Sequence, residues 1–368
     1  MNVNKPVIIV GAGLSGLRAA SLLTSQGIKC RVLEARDRSG GRILSISDKS
    51  RPDLCKFDLG PTWFWPQYER TITNVVKDLN LATFAQYTKG AMLLERFPNE
   101  KAERYVLPEN AEERSVRFIG GVQTLIDAIA DTIPSGVVEL ETRVTAIRLD
   151  KDGAITVEAD VANGKREKIS ASAVILALPP RLVARDIEFS PSLPPDIMTN
   201  LLSKPTWMAG QAKVVAIYDR PFWRESGLSG FVRSGVGPLQ EIHDASPSPE
   251  SESGALFGFF GMPANMRQKL GEDKVLNLVI DQLVRLFGPS AQNVKAFLYK
   301  DWSTDAETAV EEDWDPLRDF PRYGQPQIAG IWDKKIIFAG TESNSQYGGH
   351  LEGALLAADK AVSKILAD

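Results

Sequence analysis

The chain has 368 residues, of which 43% are hydrophobic and 24% are charged, a composition typical of a globular protein with one large core or two domains. A formal net charge of -4 and the lack of a basic run argue against nucleic-acid binding. No uninterrupted apolar run reaches the length of about 18 residues that suits a membrane span, so neither nucleic acid nor a membrane is expected among its partners.

A nucleotide-binding pattern begins near the N-terminus. Val7–Val10 predict a strand buried on both faces, and Gly11, Gly13 and Gly16 follow it in G-x-G-x-x-G spacing, before a helix, a second strand and Glu34. The first glycine permits a tight turn, the second lets backbone approach a pyrophosphate, and the third lets the helix pack closely on the strand. The helix N-terminus offers N–H groups to phosphates. The acid is expected to bind ribose hydroxyls, which argues against NADP.

A second glycine cluster follows at once, because residues 34–42 read EARDRSGGR. The glycine pair can lay backbone against the same pyrophosphate, and an adjacent arginine can neutralise its charge. The two patterns together resemble the signature of the flavin-containing amine oxidase family. The resemblance implies FAD, with Arg36, Gly41 and Arg42 among the residues that bind it.

Several later segments fit the same resemblance. Residues 58–65 read DLGPTWFW, where the family has an aromatic segment that lines the flavin; we expect Trp63 to face flavin or substrate, and hydrophobic core is the alternative. Helical spacing covers residues 67–84. Residues 85–115 are polar and irregular, which indicates a short segment that belongs to the substrate domain. The family's E-T-R-V turn implies that the backbone of Val144 contacts adenine, with core packing as the simpler interpretation.

Three further strands are predicted before the chain leaves the cofactor domain. Residues 155–161 and 168–170 predict a hairpin around Asn163 and Gly164, a dipeptide that favours turns. Residues 173–178 then predict a buried strand, which two prolines end.

Lys213 begins an apolar strand that ends near Tyr218 and precedes a Pro-Phe-Trp sequence. The family has a lysine at the matching position, where it holds a water next to flavin N5. An unpaired lysine in an apolar strand costs several kcal/mol, so we expect it to have a purpose. The alternative is a strand-end lysine whose amine reaches solvent.

The C-terminal segment carries a second family signature, F-A-G-T-E followed by G-x-x-E-G-A. Residues 336–342 predict a strand that runs into a turn, and a final helix begins near Leu351. The N-terminus of that helix could present N–H groups to the N1–C2=O edge of the flavin. The resemblance implies cofactor contacts at Gly340, Glu342 and Leu351.

Two segments depart from the family pattern. His350 stands where many amine oxidases place one of two facing aromatics, and residues 306–314 lack the Gly and Tyr of the segment that carries the other. Beside a flavin, His350 could accept a proton, bind a carboxylate or stack; a structural histidine donating to backbone is the alternative. The candidate catalytic residues are therefore Lys213, His350 and Trp63.

Cysteine and histidine are rare in the chain, which contains only Cys30, Cys55, His243 and His350. Their spacing matches neither a metal site nor a disulfide framework, so we expect no metal and a cytoplasmic location. Some family members bind FAD covalently through a cysteine in the C-terminal part, and none exists here, so we expect non-covalent FAD.

The expected fold is α/β, with a Rossmann-like FAD-binding domain assembled from residues 1–62, 116–180 and 325–368. Residues 63–115 and 181–324 would form an α+β substrate domain with an antiparallel sheet. The expected function is FAD-dependent amine oxidation, with hydride transfer to flavin N5 and O₂ as oxidant, giving imine and H₂O₂. Two alternatives remain open, a dehydrogenase or desaturase acting on a non-amine substrate and a non-catalytic flavoprotein. The oligomeric state is left open.

Overall fold

The computed structural model describes residues 5–47, 55–108, 114–162, 164–315, 317 and 319–367. Its helices are α1 (Leu14–Ser25), α2 (Arg70–Asp78), α3 (Gln123–Ala130), α4 (Pro180–Asp186), α5 (Pro195–Leu202), α6 (Phe222–Glu225), α7 (Ala264–Leu270), α8 (Glu272–Phe287) and α9 (Leu351–Leu366). Short 3-10 turns lie at Pro289–Gln292, Trp302–Thr304, Glu311–Asp313, Gly330–Trp332 and Thr341–Ser343.

The strands are short in the N-terminal part and longer beyond residue 140. They are β1 (Val7–Val10), β2 (Cys30–Leu33), β3 (Ser45–Ile46), β4 (Phe57–Asp58), β5 (Trp63–Phe64), β6 (Thr83–Ala85), β7 (Ala91–Glu95), β8 (Glu103–Tyr105), β9 (Val116–Phe118), β10 (Val138–Glu139), β11 (Thr142–Leu149), β12 (Ile155–Val161), β13 (Lys165–Ala171), β14 (Ala173–Leu176), β15 (Glu188–Ser190), β16 (Ala212–Tyr218), β17 (Leu228–Ser234), β18 (Leu239–Asp244), β19 (Gly254–Phe260), β20 (Ala296–Asp301) and β21 (Ile336–Phe338).

A parallel sheet with the strand order β10-β2-β1-β14-β21 forms the first layer. All its pairings are parallel, and β1, β14 and β21 are buried along their whole length, as in sheets covered on both faces. Helices α1, α3 and α9 pack on one face, while the other carries β11 to β13 with α4 and α5. This arrangement confirms the predicted Rossmann-like fold, and it brings the turns after β1 and β2 to one edge.

The second large sheet has the order β20-β16-β19-β18-β17-β7-β8. Its pairings are antiparallel except for that between β7 and β17. Helix α8 packs against one face, and β4 packs against the other, where Phe57 and Leu59 join its core. The expected antiparallel sheet is therefore confirmed, with one parallel pair. Strand β16 lies inside this sheet, which is why its first residues face the neighbouring layer rather than solvent.

Two predicted elements were wrong in detail. The helix expected over residues 67–84 is only α2, and β6 follows it. Residues 85–108 of the segment expected to be irregular contain β7 and β8, which extend the large sheet. The sequence of β7, AMLLE, is too short to show a period, and its partner β17 lies far along the chain. The hairpin of β12 and β13 forms as expected, although Asn163 lies outside the described residues.

Two smaller sheets, with the strand orders β13-β12-β11-β15 and β5-β9-β6, each join segments from both sides of a predicted domain boundary. Strand β15 pairs with β11, and β9 pairs with β5 and β6. The division into two domains therefore stays a prediction. Within the described ranges, every helix is too short or too polar to cross a membrane.

Candidate active site

A single cavity runs from the carboxyl ends of β1 and β2 to the large sheet. It is lined by all the candidate site residues except Gly16 and Glu342. The lining candidates are Gly11, Gly13, Glu34, Arg36, Gly41, Arg42, Trp63, Val144, Lys213, Gly340, His350 and Leu351. The fold thus brings together residues that are up to 340 positions apart in sequence, since Gly11 and Leu351 share this wall.

The first glycine loop has the geometry that its spacing predicts. Gly11 has a φ of +99°, which other residues rarely adopt, and a Cβ on Gly16 would lie 1.9 Å from the carbonyl oxygen of Gly11. A Cβ on Gly13, by contrast, would meet nothing closer than 4.0 Å, because this position faces the cavity. Helix α1 begins here without a side-chain cap and without an acid in its first turn. Its N–H groups therefore remain available to an anion.

The second glycine loop lies directly against the first. Gly40 donates its N–H to Ala12 O at 2.9 Å and pairs with Gly13 in a parallel bridge. Gly41 has a φ of +59°, and a Cβ there would lie 3.4 Å from the Cα of Gly13. The two loops together form one backbone-lined cradle.

Glu34 and Arg36 occupy the rim of this cradle. The Glu34 carboxylate accepts the N–H of Ala12 at 2.6 Å and that of Arg36 at 2.9 Å, which holds it in one orientation. Each oxygen keeps a further lone pair for a ribose hydroxyl. The Arg36 guanidinium donates to Asp305 Oδ1 at 2.5 Å and to Thr308 Oγ1 at 2.8 Å. Residues 305–308 therefore close the cofactor end of the cavity.

Arg42 reaches across the cavity to Glu342. Its Nη1 donates to Glu342 Oε1 at 2.6 Å, and the Glu342 side chain is completely buried. The other carboxylate oxygen, Oε2, is buried without a partner among the described residues. A buried carboxylate oxygen without a donor is costly, so Glu342 keeps an acceptor free for a further donor, next to Thr341, which lines the cavity.

Val144 and Leu351 both line the cavity. Val144 is buried in the core as well as lining the cavity, so both interpretations of it agree with its geometry. Leu351 is the first residue of α9, whose N-terminus has no side-chain cap. Its free N–H groups meet the cavity wall, as a partner for developing negative charge requires.

These features fit FAD. The cradle accommodates a pyrophosphate because glycine leaves its wall open at Gly13, and Glu34 is oriented for a ribose. The unpartnered Glu342 oxygen and the uncapped N-terminus of α9 provide an acceptor and donors further along. Arg42 supplies the positive charge.

Lys213 is buried, with only 2% of its surface exposed, so its amine does not reach solvent. Its Nζ donates to Gly60 O at 3.0 Å and to Thr62 Oγ1, and lies 4.1 Å from the centre of the Phe257 ring. Burial lowers the pKa of Lys213 to about 7; the Asp58 carboxylate opposes this effect, and the Arg117 charge adds to it. The amine thus lies in the cavity wall with no carboxylate in direct contact among the described residues.

Trp63 lies between the main cavity and an adjoining one. It lines both of them, as does Trp65. Its ring contacts His243 at 5.0 Å and Phe257 at 5.5 Å between centroids, whereas Phe64 points into the core. The aromatic run is therefore divided between core and cavity, which the sequence left open.

His350 is the residue before α9, and its side chain is 35% exposed. Its Nδ1 lies 3.2 Å from Oε1 of Glu69, so its partner is a carboxylate rather than the backbone. Its ring lies 6.1 Å from that of Trp65 and 6.0 Å from that of Phe320. A Cβ on Gly349 would lie 2.8 Å from the Cβ of Trp207, and this close approach fixes the backbone that carries the imidazole.

Sequence reasoning missed Glu69 and Trp207, which both line the cavity. Glu69 precedes α2, and an acid is a common residue at a helix start; placing the helix start at residue 67 concealed this signal. Nothing in the sequence marks Trp207. Residues 306–314, which lack the Gly and Tyr of the family's second aromatic segment, contribute Glu307 and Thr308 to the cofactor end, where Glu307 pairs with Arg143.

Comparison with known families agrees with this geometry. The sequence matches the family model described as flavin containing amine oxidoreductase over residues 99–366. It also matches a model described as NAD(P)-binding Rossmann-like domain over residues 9–79.

Individual relatives are distant but match along the whole chain. A probable flavin-containing monoamine oxidase A of Dictyostelium discoideum is 25% identical, over 95% of this chain and 94% of the relative. A putrescine oxidase of Kocuria rosea is 23% identical, over 99% and 95%. Among solved structures, wild-type putrescine oxidase bound to putrescine matches with a TM-score of 0.82 at 22% identity, and cyclohexylamine oxidase from Brevibacterium oxydans IH-35A with 0.79 at 20%. Each covers 99% of both chains, which shows a common fold.

Proposed function

This chain belongs to the flavin-containing amine oxidoreductase family and is an FAD-dependent amine oxidoreductase, and from this premise we propose that it is an oxidase that uses O₂. The single observation that carries the proposal is the cavity, which joins the glycine cradle to Lys213 and to an aromatic wall. A non-catalytic flavoprotein needs no such second compartment, and the family match disfavours a non-amine substrate.

Gly11, Gly13 and Gly41 would hold the pyrophosphate, with Glu34 at a ribose and Arg42 as counter-charge. The remaining proposed contacts are Gly16, Arg36, Val144, Gly340, Glu342 and Leu351. When bound, FAD supplies at N5 the acceptor for a hydride from the amine α-carbon, and delivers the electron pair to O₂ to give H₂O₂.

The cofactor is proposed to be non-covalent. Neither cysteine lines the cavity, since Cys30 is buried in β2 and Cys55 is exposed elsewhere. Both are free thiols, which also supports the proposed cytoplasmic location. Acid precipitation of the holoenzyme should leave the flavin in the supernatant, and flavin retained in the pellet would contradict this.

Lys213 is proposed to hold a water at the reacting end of the cavity. Its Nζ has a third hydrogen to donate beyond those bound by Gly60 and Thr62. Its positive charge would also favour the reduction of O₂ by stabilising the negative charge that develops on oxygen. The charge disappears as the pH rises through the pKa of about 7, so reoxidation should slow over that interval.

Trp63 and His350 are proposed to contact the substrate. Trp63 would pack on the apolar part of the amine, because it separates the two cavities. A dry aromatic wall also disfavours the ammonium form and favours the neutral amine, the form that can release hydride.

The proposal is tested by mixing the oxidised holoenzyme anaerobically with primary amines, diamines and amino acids. Bleaching of the flavin absorbance by at least one amine, followed by H₂O₂ release on admission of air, is the expected result. Putrescine and cyclohexylamine belong in the panel, because structurally similar proteins are oxidases of these amines. Failure of every amine to bleach the flavin would refute amine oxidation, and bleaching without H₂O₂ would indicate a dehydrogenase.

A further inference from the structure

The pair formed by Glu69 and His350 has the geometry of a proton acceptor. Glu69 is 1% exposed, and its Oε2 accepts the N–H of Trp65 at 2.8 Å while its Oε1 faces Nδ1 of His350 at 3.2 Å. Since a carboxylate oxygen can only accept, Nδ1 carries the hydrogen of this bond. The acceptor lone pair of the neutral ring is then on Nε2, which has no hydrogen-bond partner among the described residues.

We propose that Nε2 of His350 accepts a proton from the substrate ammonium, and that Glu69 is the positioning residue that orients the ring and stabilises the imidazolium. This rests on the proposed amine oxidation and adds how the neutral amine is produced. One N–H bond of the ammonium breaks, the electron pair stays on the amine nitrogen, and the proton forms a bond to Nε2. The proton passes to solvent after the product has left.

The difference in basicity between donor and acceptor is reduced by burial. In water an alkylammonium is less acidic than an imidazolium by about 4 pH units, so the transfer would be unfavourable. The cavity lowers the pKa of its own alkylammonium, that of Lys213, to about 7 by burial. A substrate ammonium that lies against Trp63, Trp65 and Trp207 in the same cavity also loses hydration, which lowers its pKa and so reduces the difference in basicity from the imidazole.

The other polar groups around His350 are already committed. The carboxylate of Glu352, on α9, accepts the N–H groups of Thr71 and Ile72 at 3.0 and 2.8 Å. Glu342 binds Arg42 through Oε1, and its unpartnered Oε2 makes no hydrogen bond to the imidazole. The hydroxyls of Tyr323 and Tyr347 donate to the carbonyls of Pro205 and Tyr68, and burial raises the pKa of Tyr323. Among the described residues, Glu69 is thus the charged group in direct contact with the imidazole.

The first test observes the proton itself. The chain contains two histidines, so the imidazole nitrogens of 15N-histidine-labelled holoenzyme give few signals, and those of His350 are the ones missing from the His350→Phe variant. tert-Butylamine has no hydrogen on the carbon that bears nitrogen and cannot be oxidised. Its binding above pH 7 should convert the His350 signals from the neutral to the imidazolium pattern in the wild type, and to a smaller extent in Glu69→Gln.

The second test compares amines of different basicity in anaerobic flavin reduction. His350→Phe restores an aromatic ring of similar size but removes the acceptor, so reduction by a strongly basic amine at pH 7 should slow by about 100-fold. Its 2,2-difluoro analogue, of which about half is already neutral at that pH, should slow by no more than about twofold, because the neutral fraction needs no acceptor. In Glu69→Gln, which keeps the side-chain shape, the pH profile for the basic amine should move to lower pH.

The outcomes separate this proposal from the amine-oxidase assignment. Equal slowing for both amines in His350→Phe, or His350 signals unchanged by bound tert-butylamine, would overturn the acceptor role while leaving amine oxidation intact. If neither of these amines, nor any other in the panel, reduces the flavin of the wild type, amine oxidation itself is refuted.

Discussion

Replacing Lys213 by Met is expected to stabilise the protein, although it removes a residue from the site. Burial shifts the pKa of the amine from 10.5 to about 7, and at about 1.4 kcal/mol for each pH unit this corresponds to about 5 kcal/mol. Met fits the same volume without a charge. It forfeits the hydrogen bonds to Gly60 and Thr62, at about 1 kcal/mol each. The net gain in the free energy of unfolding should be about 3 kcal/mol.

The gain depends on pH in a defined direction. Between pH 7 and 10.5 the unfolded chain binds a proton at this lysine that the folded protein does not bind, so wild-type stability rises with pH over that interval. Below pH 7 both states are protonated and the full cost of the buried charge is present. The advantage of Lys213→Met should therefore be greatest at pH 6, should vanish at about pH 9, and should give way above that pH to the loss of the two hydrogen bonds.

Urea unfolding of wild-type and variant holoenzyme, followed by tryptophan fluorescence at pH 6 and at pH 9.5, measures this difference. Lys295→Met is the matched control, because Lys295 forms an exposed pair with Asp219 that should contribute less than about 1 kcal/mol at either pH. A Lys213→Met variant that is less stable than wild type at pH 6, or equally more stable at both pH values, would refute the reasoning.

The cofactor cradle yields two further predictions. Gly13→Ala should fold with wild-type stability but bind FAD at least about tenfold more weakly, because its Cβ meets only the cavity. Gly16→Ala should instead lose stability, because its Cβ would lie 1.9 Å from the Gly11 carbonyl oxygen. Urea unfolding and flavin titration measure the two effects, and equal stability of the two variants would contradict the prediction. Arg42→Gln leaves the buried Glu342 carboxylate unpaired and should lower the free energy of unfolding by about 3–5 kcal/mol. Adding Glu342→Gln should recover most of that stability but not the FAD affinity. A double variant no more stable than the single one would show that the pair is not coupled.

The cofactor end could be predicted from sequence because its parts are local. Gly11, Gly13 and Gly16 lie within six residues, and each role follows from the backbone alone: a positive φ, an open wall and a close helix approach. Buried strands before and after them place the cradle at the sheet edge. The importance of the lysine in an apolar strand could also be predicted, since an unpaired buried charge lowers the stability of any fold.

The substrate end could not be predicted in the same way. Glu69 and His350 are 281 residues apart, and Arg36 and Asp305 are 269 apart; such contacts follow only from how the layers pack. Strand β7 was missed for the same reason, because its pairing with β17 depends on a distant segment rather than on its own five residues.

His350 stands where many amine oxidases place an aromatic ring, and this difference changes how the cavity wall interacts with an ammonium group. A ring face attracts the cation and so opposes loss of its proton. The imidazole removes the proton instead, while the buried charge of Glu69 supplies the attraction that the ring would have given. Lys213 lies elsewhere in the same wall with its charge weakened by burial, so it repels the incoming ammonium less than an ordinary lysine would. In the proposed site, capture and deprotonation of the amine therefore both depend on the pair formed by Glu69 and His350.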